Sequence, residues 1–91
     1  MKYCTVVEFE WEDAAQREAF EQLTLAGGGV VDGRLVRVIG VDDAGARAIE
    51  VWASPDDARR FAERTAPDLG STALPAPSRV FGFEVSAVEV A

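Results

Sequence analysis

The chain contains no histidine and no asparagine. Without histidine it lacks the commonest general base and the commonest nitrogen ligand for metals or haem, and no Ser-His-Asp relay can form. Its one lysine, Lys2, stands at the second position, a poor place for a desolvated Schiff-base amine. A single cysteine, Cys4, excludes an intrachain disulfide and a thiolate metal cluster. It falls in a strand pattern, where a buried, inert thiol is the expected role. Basic residues number nine against sixteen acidic ones, for a net charge of −7. Nucleic-acid binding needs a cationic stripe that displaces counterions, and none is visible. The same balance disfavours an anionic membrane surface. No apolar run approaches the roughly 18 residues that span a bilayer. Near the N-terminus, glutamates stand where a signal peptide would have its apolar stretch. The expectation is a cytoplasmic protein with no nucleic-acid or membrane partner, no metal and no cofactor. Its chemistry is left to carboxylates, arginines, one tyrosine, hydroxyls, a thiol or bound water.

What is present is ordinary for a folded chain: 91 residues, 48% hydrophobic and 27% charged, expected to form one domain over 1–91. Residues 2–11 alternate like a strand, with Tyr3, Thr5, Val7, Phe9 and Trp11 on one side and Cys4, Val6, Glu8 and Glu10 on the other. Residues 12–26 carry a helical stripe of Ala15, Ala19, Leu23 and Ala26, with Phe20 at its margin. The glycines at 27–29 follow that helix and end it; a phosphate-binding loop would precede one. Residues 34–41 and 46–53 form a hairpin about the turn Asp42-Asp43-Ala44-Gly45. A second helix is predicted from Pro55 to about Thr65, capped by Ser54 and burying Ala58, Phe61 and Ala62. Its arginines, Arg59, Arg60 and Arg64, read as a solvated face. Prolines and a glycine make 66–78 an irregular connection with room for a short turn of helix, and the last strand is predicted over 79–90.

The order β-α-β-β-α-β is the split βαβ of a ferredoxin-like α+β fold, with a four-stranded antiparallel sheet and both helices on one face. Strand parity assigns Val7, Phe9, Trp11, Ile49, Val51, Phe81, Phe83 and Val85 to the helices. The other face then collects Cys4, Val6, Glu8, Glu10, Ala48, Glu50, Trp52, Val80, Glu84 and Val88. That surface is mixed, and a lone chain would show its tryptophan and valines to water. A second copy packed face to face would bury it and leave a partly polar chamber.

The stretch VW-x-S, Val51 to Ser54, leads from the third strand into the second helix. With FEV on the last strand, Phe83 to Val85, it resembles the dimeric α/β-barrel superfamily, and within it the small antibiotic-biosynthesis-monooxygenase-like proteins. The resemblance covers nearly the whole chain and implies a homodimeric α/β barrel around a small-molecule site. Cofactor-independent oxygenases of that superfamily line the pocket with a tryptophan at the end of the third strand, a position matched by Trp52. Their asparagine corresponds to Ala48, and their tyrosine has no clear match near Ala58. The histidines that haem-degrading and cyclase relatives use are missing as well.

The candidate site follows from these faces. A two- or four-residue loop at the hairpin pairs Val41 with Ala46, Ile39 with Ala48, Arg37 with Glu50 and Leu35 with Trp52, so that Arg37 faces Glu50, whereas a three- or five-residue loop breaks this pairing. Glu8, Glu50 and Glu84 fall near the middle of adjacent strands. Three carboxylates crowded together cannot all ionise cheaply, and one could act as general acid or base. The plainer alternative has them solvated at the chamber mouth or paired with Arg37, Arg47 or Arg79; a divalent cation is a third, which their spacing does not demand. Trp52 reads equally as an aromatic wall for a ligand and as interface packing. Arg37, Val6 and Ala48 complete the expected ligand-binding set. Tyr3 reads as core. Two functions remain: an enzyme acting on a small, largely apolar (aromatic or polyketide-like) molecule, by isomerisation, cyclisation or cofactor-free oxidation, or a non-catalytic ligand-binding or dimeric assembly module.

Overall fold

The computed structural model describes residues 1–26, 29–70 and 74–90, without the side chains of 25, 26 and 66–70. Elements run in the order β1 (Tyr3–Glu10), α1 (Ala14–Ala26), β2 (Arg34–Val41), β3 (Gly45–Trp52), α2 (Pro55–Gly70) and β4 (Arg79–Glu84). All neighbours in the sheet are antiparallel, in the order β2-β3-β1-β4. This is the ferredoxin-like α+β fold the sequence order implies.

Local chemistry explains the element ends. Asp13 accepts the Gln16 amide at 3.0 Å, and the Gln16 side chain accepts the Glu12 amide at 2.7 Å, which starts α1 with a capping box. Ser54 Oγ accepts the Asp57 amide at 3.2 Å and donates to Asp57 Oδ2 at 2.8 Å. Pro55 therefore opens α2, where its missing N–H costs nothing. In the β2–β3 turn, Asp42 Oδ1 accepts the amides of Ala44 at 2.8 Å and Gly45 at 2.9 Å. Gly27 and Gly28 of the expected glycine cap lie outside the described residues.

Several boundaries differ from expectation. Helix α2 continues to Gly70, five residues into the stretch read as irregular. Strand β4 stops at Glu84, because its ladder with β1 closes at Tyr3↔Glu84 and only the Val85 amide bonds onward, to Lys2 O at 3.0 Å. The stripe of α1 is centred on Phe20, 3% exposed, while Ala15 faces water. Ala58 is buried and Phe61 half-buried as expected, but Ala62 is exposed.

Aromatic contacts identify the covered face. Phe20 of α1 meets the rings of Phe9 and Trp11, each at 5.4 Å between centroids. Phe61 of α2 meets Trp52 at 5.1 Å. Register then fixes every other strand residue, since directly paired residues share a face. One row across the helix-covered face runs Arg34, Trp52, Tyr3, Glu84; the next runs Arg37, Glu50, Thr5, Gly82; a third runs Ile39, Ala48, Val7, Val80. The opposite, open face carries Cys4, Val6, Glu8, Val36, Val38, Arg47, Ile49, Val51, Arg79, Phe81 and Phe83.

Parity in β1 is as expected, and in β3 and β4 it is reversed. Ile49, Val51, Phe81 and Phe83 lie on the open face; Ala48, Glu50, Trp52, Val80 and Glu84 lie under or beside the helices. The open-face residues of these two strands are the more apolar set, so alternation by itself assigns them to the helices.

Candidate functional site

The residues expected to share one chamber are divided by the sheet. Glu8 and Val6 lie on the open face; Glu50, Glu84, Trp52, Arg37 and Ala48 lie on the helix side. The hairpin pairs Arg37↔Glu50, Ile39↔Ala48 and Val41↔Ala46 as counted from the turn. A bulge at Leu35 then breaks the count, so Arg34, not Leu35, stands opposite Trp52.

That bulge decides the partner of Glu50. Arg34 Nη1 donates to Glu50 Oε2 at 2.9 Å, and Arg34 Nη2 donates to the carbonyl of Gly29 at 3.0 Å. The Arg34 guanidinium also lies 5.8 Å from the centre of the Phe61 ring. Its side chain is 6% exposed, and that of Glu50 is 11%. The ion pair thus ties the approach to β2, strand β3 and helix α2 together beneath α2. Arg37 is half-buried beside it. The sequence does not single out Arg34, since nothing in it marks a bulge, and it gives Thr5 and Phe61 only as strand and helix packing residues.

Trp52 completes this interior cluster. It is 1% exposed, lies against Phe61, and donates Nε1–H to Thr5 Oγ1 at 3.1 Å. A side chain so enclosed is a core residue and offers no open wall. The Tyr3 ring lies over Gly82, where a Cβ would strike its hydroxyl and ring carbons. Glu84 is at the exposed end of the same row, across Tyr3 from Trp52.

The open face has a different character. Cys4 and Val6, on a central strand between large neighbours, are buried at 4% and 6% exposure. Burial raises the Cys4 thiol pKa, which keeps it protonated and unreactive at neutral pH. Around them Val36, Val38 and Phe83 are exposed, and Ile49, Val51 and Phe81 half-buried. No described helix covers this surface. At its hairpin end an open depression of about 510 Å³ is lined in part by Glu8, Val38, Gly40, Arg47 and Ile49. Arg47 Nη2 donates to Glu8 Oε2 at 3.1 Å, and Arg79 Nη1 stands 3.7 Å from Glu8 Oε1 while lying over the Phe81 ring. Glu8 therefore lines this depression, held between two arginines.

Among the described residues no group of three or more His, Cys, Asp or Glu is placed to hold a metal ion. No described helix is long and apolar enough to cross a membrane.

Solved structures carry this arrangement of strands and helices. A protein of Chloroflexus aurantiacus J-10-fl, described as an antibiotic biosynthesis monooxygenase, superposes with a TM-score of 0.73 at 15% identity, over 99% of this chain and 98% of its own. A monooxygenase of Streptomyces coelicolor, in complex with the ligand nanaomycin D, superposes with a TM-score of 0.61 at 20% identity, over 98% and 91%. The chain shares their fold. At these identities the likeness speaks for architecture, and it bears out the resemblance to antibiotic-biosynthesis-monooxygenase-like proteins at that level. No protein-family model matches the sequence, and no curated protein matches it.

Proposed function

We propose that this chain is a small homodimeric α/β-barrel protein that encloses a small, largely apolar molecule between two sheets. The observation that carries the reading is the open face: Val36, Val38, Val51, Phe81 and Phe83 surround Cys4 and Val6 with no described helix over them. Apolar surface of this extent is normally covered by a partner. A second copy supplies a matching surface, with Arg47 and Arg79 beside Glu8 as a charged rim.

The ligand part of the reading rests on the depression beside that surface. Its volume of about 510 Å³ falls within the range of small-molecule sites. A second sheet laid over it would roof it. The Streptomyces coelicolor protein of the same fold holds nanaomycin D, which supports an aromatic, largely apolar occupant. If the protein is an enzyme, Glu8 is the carboxylate best positioned for acid-base work, with Arg47 paired to it at 3.1 Å. Trp52, Arg37, Glu50 and Ala48 then act behind the sheet, supporting the strands that carry the chamber.

The second reading, a dimeric assembly module without catalysis, is favoured by one observation. Glu50 and Trp52 are consumed by packing, Glu50 on Arg34 and Trp52 on Phe61. Native mass spectrometry of the purified protein separates these readings. A dimer carrying a retained small molecule supports the first, a dimer without one supports the second, and a monomer contradicts both.

A further inference from the structure

At the charged end of the open face, Gly40 on β2, Arg47 on β3, Glu8 on β1 and Arg79 on β4 lie in one register row. Three of the four alternate in sign. Arg47 Nη2 donates to Glu8 Oε2 at 3.1 Å, and Arg79 Nη1 stands 3.7 Å from Glu8 Oε1. Opposite charges that face each other across strands stabilise a sheet. The row breaks off at β2, where alternation would set an acid beside Arg47 and the chain has a glycine. Among the described residues, the Arg47 guanidinium donates to Glu8 alone, through Nη2, which leaves Nε and Nη1 for another acceptor.

The break in the row is also a hollow in the surface. A Cβ built on Gly40 meets nothing within 4 Å, and Gly40, Arg47 and Glu8 all line the depression of about 510 Å³. Glycine inside a strand weakens it, and often stands where a ligand comes close to the backbone. One row inward, about 7 Å along the strands, the floor is apolar: Val38, Ile49, Val6 and Phe81. The other two acids that line the depression are set elsewhere. Asp42 Oδ1 accepts the amides of Ala44 and Gly45, and Glu10 stands one row outward, opposite Gly45.

We infer that the occupant of the chamber is an aromatic carboxylate, its acid group beside Gly40 on Arg47 and its ring over Val38 and Ile49. The carboxylate supplies the missing negative charge of the row. The inference rests on the chamber proposed above and gives its occupant a charge and an orientation. A charged acceptor on a guanidinium makes a hydrogen bond about twice as strong as a neutral one. The site therefore favours an acid over the amide of the same shape.

2-Naphthoate and 2-naphthamide, alike in shape and different in charge, are the probes, each titrated calorimetrically into the purified protein at neutral pH. Wild type is expected to bind the acid at least about tenfold more tightly than the amide. Arg47→Gln removes the cation, and Gly40→Asp completes the row with the chain's own carboxylate. In Arg47→Gln the acid is expected to bind no better than the amide, and in Gly40→Asp the acid is expected to lose its advantage as well, with circular dichroism unchanged in both. Equal affinities in wild type overturn the carboxylate and leave the chamber standing. A preference for the acid that survives in Arg47→Gln overturns the seat beside Gly40. Binding of neither probe to wild type removes the chamber itself, and this inference with it.

Discussion

Arg34 Nη1 lies 2.9 Å from Glu50 Oε2, and both side chains are almost entirely out of water. Each carries a desolvation cost that the other offsets. Removing one partner leaves a buried charge alone, whereas removing both leaves apolar volume to fill. Glu50→Ala is expected to destabilise the fold by about 3–5 kcal/mol. The pair of substitutions Arg34→Met and Glu50→Leu is expected to recover most of that loss. Urea unfolding of the three proteins measures both effects.

The contact of Trp52 with Phe61 and Thr5 predicts a graded response. Trp52→Ala empties the most enclosed position of the core and is expected to cost about 3–5 kcal/mol. Thr5→Val removes only the acceptor of the indole N–H, and about 1 kcal/mol is expected. Equilibrium unfolding that ranks the two in the opposite order would contradict the placement of Trp52 in the core.

Two aspartates set the acid limb of stability. Backbone amides of Gly45 and Ala44 hold the Asp42 carboxyl below the ordinary aspartate range. The Ser54 hydroxyl and then Arg60 do the same for Asp57. A carboxyl depressed on folding stabilises the native state above the unfolded pKa of about 3.9. That contribution is lost as pH falls through the lower folded value. The midpoint of thermal unfolding is therefore expected to drop on acidification below about pH 4. In Asp42→Asn with Asp57→Asn the midpoint is lower at neutral pH and the drop is shallower. A parallel shift at every pH would refute the linkage.

Two strand glycines should respond in opposite directions. A Cβ on Gly45 would collide with the backbone carbonyl of Phe9, which is paired strand rather than a movable side chain. Gly45→Ala is expected to cost about 1–3 kcal/mol through overpacking. A Cβ on Gly40 meets nothing within 4 Å. Gly40→Ala is expected to be neutral or to stabilise by about 0.5–1 kcal/mol. Thermal melts of the two single variants decide it.

Local signals in the sequence were strong wherever side chains speak to their own backbone. Ser54 and Pro55 marked the start of α2, Asp42 and Gly45 marked the hairpin, and counting outward from that turn paired Arg37 with Glu50. The count failed at Leu35, since a bulge leaves no trace in residue type, and with it went the true partner of Glu50. The faces of β3 and β4 failed for another reason. Ile49, Val51, Phe81 and Phe83 are more apolar than Ala48, Glu50 and Glu84, so the surface left open in one chain looks more like a core than the surface under the helices. Hydrophobicity there reports burial in the proposed assembly, which strand alternation in a single chain cannot separate from burial under helices. The candidate site inherited that reversal, with Glu8 and Val6 on the open face and Trp52 and Glu50 on the helix side.

The open apolar face as a dimer surface is the claim on which the rest depends, and sedimentation velocity of wild type beside Val38→Asp and Phe83→Asp tests it most directly. Wild type is expected to sediment as a dimer at micromolar concentration, and both variants as monomers with unchanged circular dichroism. Wild type sedimenting as a monomer, or both variants persisting as dimers, would contradict the account.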